Sequence, residues 1–123
     1  MGAIIPEALA AADRLDAAGI PADVVCVTSP GLLFKALLAR QGRADAPAWV
    51  LDQVFPASRA TPLVTVLDGH THTLAFLATI NTVQCVNLGV TRFGQSGSIP
   101  DVYRYHGIDT DTIVRAGTDL ASR

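Results

Sequence analysis

Helical and β-branched apolar segments alternate along the 123-residue chain, which predicts an α/β domain with a mainly parallel sheet in a three-layer α/β/α arrangement. Two further observations point the same way. The residues are 50% hydrophobic, as expected of a sheet covered on both faces, and the candidate strands read as continuous apolar runs. A partly apolar outer surface, kept for a partner, is the other way to carry that excess. The length suits one domain, residues 1–123, and is too short for two.

The first helix is expected over Pro6 to Ala18, with Leu9, Ala12 and Leu15 at near-helical spacing. Pro6 suits its first turn and Glu7 the positive end of its dipole, while Gly19 and Pro21 stop it and Ile20 folds back on the last turn. "ADVVCV" at 22–27 reads as a fully buried parallel strand. Ser29 is placed to cap a second helix that starts at Pro30, runs to Arg40 and stops at Gly42. "WVLDQVF" at 49–55 suits a short helix or an extended flap, and periodicity does not choose between them.

"PLVTVLDG" at 62–69 and "VQCVNLGV" at 83–90 are the second and third strands, joined by a crossover helix within Thr71 to Thr79. Ser98 and Asp101 have the spacing of a capping box for a short helix, Gly107-Ile108 repeats the Gly19-Ile20 stop, and Asp109 or Thr110 starts the last helix. Three strands are few for an open sheet. Because the first element is a helix, an edge or gap is left where another strand can pair.

Composition narrows the partners. The net charge of −2 and the scatter of arginines among acids give no basic stripe, so nucleic acid is not expected as a ligand. No apolar run approaches the roughly 20 residues of a membrane span, and "MGAIIPEALAAADRL" lacks a basic leader, so a cytoplasmic setting is expected. Cys26 and Cys85 lie in apolar runs, where reduced thiols behave as small core residues, and their spacing does not suit zinc.

"DGHTHT" sets Asp68, His70 and His72 after a strand, where open α/β sheets gather functional groups. Histidines two apart on an extended segment point the same way, so His70 and His72 suit a shared metal, anion or proton, or else a local structural role at the crossover helix. Against a metal stands the lack of a third ligand nearby in sequence. "FGQSGS" fits no nucleotide-binding spacing. Its glycines serve either a strand-to-helix hinge or an anion cradle at a helix start. No catalytic set is complete within the chain, and no catalytic residue is assigned.

Two segments carry a family resemblance. "ADVVCVTSPGLLFKAL" resembles the part of pyruvate dehydrogenase E1 where a strand runs through "VTS" into a helix, and "LGVTRFGQSGSIPDVYRYHGIDTDTIVRA" resembles the closing run of the transketolase-like thiamine-diphosphate enzymes. From Pro6 to the end the chain is therefore similar to their C-terminal domain. The resemblance implies a parent enzyme of the 2-keto acid dehydrogenase E1 or transketolase kind, in which other domains hold thiamine diphosphate and Mg while this one supports a homodimer. It implies a fragment lacking the family's first strand, without chemistry of its own, and a hinge at which Arg92 and Phe93 meet another domain or subunit. The resemblance assigns no family role to His70 or His72, which stand as candidates beside a substrate entrance. The alternatives are a stand-alone module that binds a partner through its sheet edge, or a regulatory domain binding an anion at Gly94 to Ser98.

Overall fold

The computed structural model describes residues 2–92 and 97–123. After a 3-10 turn at Gly2–Ile4 come α1 (Ile5–Ala17), α2 (Pro30–Arg40), α3 (Trp49–Val54), a second 3-10 turn at Ala57–Arg59, and β1 (Leu63–Val66). Two single helical turns follow, α4 (His72–Ala75) and α5 (Ala78–Asn81), then β2 (Cys85–Leu88), α6 (Ile99–His106) and α7 (Thr110–Ala121). The class is mixed α/β, and β1 and β2 pair in parallel with Thr65 opposite Asn87. That pair is the polar point of the ladder. Buried Thr65 donates its hydroxyl to the Asn87 Oδ1 at 2.7 Å, so its burial leaves no unmet hydroxyl.

The sheet has two strands among the described residues, where three were expected. Residues 22–27 carry no regular secondary structure and join no sheet among the described residues, and Val24 and Val25 are 40% and 46% exposed. What the sequence pattern could not supply is a neighbour, and without one the run stays outside the sheet. Cys26 is accordingly exposed rather than buried. Residues 49–55 resolve as α3, seated by fully buried Leu51, and the crossover divides into α4 and α5.

Glycine stops end α1, α2 and α6 as expected. After α1, Gly19 takes φ +83° and the Ile20 N–H donates to the Leu15 carbonyl at 2.8 Å. After α6, Gly107 takes φ +70° and the Ile108 N–H donates to the Tyr103 carbonyl at 2.9 Å. This second stop buries Ile108 completely, a contribution of about 1.5–3 kcal/mol.

Two apolar groups hold the layers. Val27, Ala36, Leu37, Leu51, Leu67 and Leu74 join α2, α3 and α4 to the sheet end. Elsewhere α1 packs on α7, which also meets both strands, with Leu15, Ile113 and Leu120 buried. Glu7 ties these helices beyond their apolar contact. Its carboxylate accepts from the Thr110 N–H at 3.0 Å and from the Thr110 hydroxyl, and so serves the open N-terminus of α7. Arg14 also reaches Asp111 at 2.5 Å and, by that hydrogen bond and its charge, holds the Asp111 carboxyl below its usual range.

Two glycines allow close approach at different tolerance. A Cβ on Gly89 would stand 2.5 Å from the Gly69 carbonyl oxygen and 3.1 Å from the Thr71 nitrogen, both backbone atoms. A Cβ on Gly117 would meet the movable end of Leu15 at 2.9 Å. Gly89→Ala is therefore expected to cost about 1–3 kcal/mol, and Gly117→Ala less, because alanine regains helix propensity while Leu15 turns aside. Denaturant melts of the two variants check this, and equal losses would show that the two loop roots are not in contact.

The thiols offer a second check. Cys26 is exposed, while burial pushes the half-buried Cys85 thiol up and its Sγ–H lies 3.4 Å from Asn87 Oδ1. Because the thiolate is the reactive form, a disulfide reagent at pH 8 is expected to modify Cys26 at least about tenfold faster. Equal rates would contradict the exposed course of residues 22–27.

Candidate functional site

The C-terminal ends of the two parallel strands open into the loops that carry the candidate residues. Their roots are joined, since the Val90 N–H donates to the Gly69 carbonyl at 2.8 Å. From the first loop rise His70 and His72, both exposed, with ring centroids 4.6 Å apart. The rings meet through a turn and not on the expected extended segment, since Thr71 is in the αR region and His72 opens α4: their Nδ1 atoms lie 2.6 Å apart, and the His72 backbone N–H also donates to His70 Nδ1 at 3.2 Å. With one backbone donor already on it, His70 Nδ1 is the acceptor, so His72 carries the proton on Nδ1 in the neutral pair. His72 Nε2 is then left with its lone pair, able to accept a proton or hydrogen bond.

His72 also lines a cleft of about 340 Å³ with Pro30, Gly31, Phe34, Thr73 and Phe76. Phe34 and Phe76 meet edge to face at 5.3 Å, forming an apolar wall beside the imidazoles. α2 supplies Phe34 from the turn after Pro30, which begins this helix without a side-chain cap from Ser29. The result is a shallow apolar recess with one basic edge. It suits hydrogen bonding with a bound group, through His72 and the Thr73 hydroxyl.

From the second loop, Arg92 turns to α6. Its guanidinium lies 4.1 Å above the centre of the Tyr105 ring and donates to the Tyr105 carbonyl. Arg92 is thus engaged within the chain and is not joined to the histidine pair. Phe93, Gly94, Gln95 and Ser96, which include most of the anticipated hinge or anion cradle, lie outside the described residues. Ser98 is committed to α6: it accepts from the Asp101 N–H at 3.4 Å and donates its hydroxyl to Asp101 Oδ2 at 2.8 Å. This is the expected capping pair.

Among the described residues no three His, Cys, Asp or Glu side chains stand together as a metal site. The described residues therefore offer no ligand set for Mg, and no chemical step is derived through it. Nor is any described helix long and apolar enough to cross a membrane. Sequence reasoning missed the service of Glu7 to α7, because a contact between the first helix and the last has no local signature. It also missed the aromatic wall, whose members Phe34 and Phe76 meet only in the fold.

Comparison with known proteins gives one kind of answer. No curated protein and no solved structure matches the chain. A family model does match, over residues 1–109, and its description is the transketolase-like TK C-terminal domain. That span takes in α1, both strands, the histidine loop and α6. The chain belongs to the transketolase-like C-terminal domain family.

Proposed function

We propose that the chain is the C-terminal, dimer-supporting domain of a larger thiamine-diphosphate-dependent enzyme, a 2-keto acid dehydrogenase E1 or a transketolase. The family match over residues 1–109 carries this reading. Two surface features support it. α2 and α3, packed on each other, expose Leu32 at 66% and Trp49 at 62%, large apolar side chains suited to cover by another domain or subunit. The shallow histidine recess lacks a catalytic set, which fits a domain that shapes a site built elsewhere. Thiamine diphosphate and Mg belong to the other domains of that enzyme, where the cofactor carries the difficult electrons.

In this reading His70 and His72 stand at the rim of the substrate entrance and accept or donate hydrogen bonds to an entering polar group. Changing both to Ala in the intact enzyme is expected to raise KM several-fold with kcat nearly unchanged, the mark of lost binding rather than lost chemistry. Unaltered constants would remove the pair from the entrance.

The size of the native polypeptide tests the reading itself. An antibody against this segment is expected to detect, in extracts of the native cells, a band several times larger than 12.9 kDa. A band at 12.9 kDa would mean a stand-alone protein and would overturn the parent-enzyme assignment.

A further inference from the structure

The histidine pair aims two ring nitrogens at one point. Both side chains are exposed, their ring centroids lie 4.6 Å apart and their planes are inclined at 50°. The Nδ1 atoms face each other at 2.6 Å, so one proton, carried by His72 in the neutral pair, is shared along the line between them. An imidazole nitrogen that accepts a proton along its lone pair accepts a metal ion along the same direction.

The spacing is close to what such an ion needs. Two nitrogens bound to one ion at about 2.0–2.1 Å stand about 2.9–3.3 Å apart, for bond angles from square to tetrahedral. The two rings therefore have to part by less than about 1 Å, which exposed histidines achieve by small turns about χ2, a soft torsion. His72 moves its proton from Nδ1 to Nε2 through water, while His70, which accepts at Nδ1, already carries its own on Nε2. Both rings stay neutral, and no proton is gained or lost. The cost is the 3.2 Å bond from the His72 backbone N–H to His70 Nδ1. That N–H stands at the start of α4 on an exposed residue, where water replaces the acceptor.

The donor set selects the ion. Neutral imidazoles suit the divalent ions of zinc, nickel and copper, whereas Mg and Ca seek oxygen. An anion would find a single N–H at this point and a facing lone pair that repels it. Among the described residues no third His, Cys, Asp or Glu side chain joins the pair, so water fills the remaining positions and the site is an open chelate. The αR turn at Thr71 holds the nitrogens together before any ion arrives, so little ordering is lost on binding. We infer that His70 and His72 chelate one divalent transition-metal ion of the zinc, nickel and copper group through their Nδ1 atoms. The ion stands at the edge of the recess that His72 lines.

Zinc chloride is the probe, added at neutral pH to the purified chain carrying Cys26→Ser, which removes an exposed thiol that would compete for it. Calorimetric titration is expected to give one ion per chain, and nitrogen NMR to show the Nδ1 resonances of both His70 and His72 moving with it. His70→Gln and His72→Gln are each expected to weaken binding at least about tenfold, because the second ligand no longer binds within the same molecule. His106→Gln is expected to change nothing. The inference fails if binding does not saturate, if one ion joins two chains, if the Nε2 resonances move instead, or if either substitution leaves the affinity as it was. The NMR shifts of the unsubstituted pair decide the case however the variants fold. None of these results bears on the size of the native polypeptide, so the metal site and the parent-enzyme reading fall separately.

Discussion

A parallel pair of four-residue strands holds too few hydrogen bonds to persist in water, so the cover above and below it decides whether the sheet exists. Here α7 meets both strands and is itself anchored by α1, through Leu15 on the apolar side and Glu7 at the helix start. The remaining features follow from that cover. Because α1 and α7 are far apart in sequence, their contact draws the first and last helices of the chain together. Because β1 and β2 pair in parallel with Val66 opposite Leu88, the loop roots that leave their C-terminal ends come within hydrogen-bond distance at Gly69 and Val90, and only a glycine at 89 fits between them.

The same economy shapes the functional reading. A sheet this narrow places few loops at its C-terminal end, and of the two that carry candidate residues one bears the histidine pair while Arg92 in the other is spent on Tyr105. The recess beside His72 is apolar with one basic edge. The chain belongs to the transketolase-like C-terminal domain family, and its parent enzyme and role there belong to the proposal above.

Much of this was legible in the residues, where the signal is local. The glycine stops at 19 and 107 were readable because a positive φ and a following apolar residue are short-range requirements, and the Ser98–Asp101 cap because three residues separate its partners. The imidazoles do pair, but through the αR turn at Thr71 and not on the extended segment that the spacing of two assumed. Illegible was whatever depends on a neighbour supplied from afar. "ADVVCV" has the composition of a buried strand, yet strand status requires a partner that composition does not reveal, and among the described residues none pairs with it. The burial assigned to Cys26 failed with it. Glu7 was read as serving its own helix, while its hydrogen bonds go to α7.

Among the described residues β1 pairs on one edge only, with β2, and residues 22–27 line the same cleft as β1. Nuclear Overhauser contacts between backbone protons of the purified chain measure this directly. Cross-strand contacts are expected between Leu63–Val66 and Cys85–Leu88 in the parallel register, and none joining 22–27 to β1. Backbone contacts bridging 22–27 to β1 would show a sheet already closed and would contradict it.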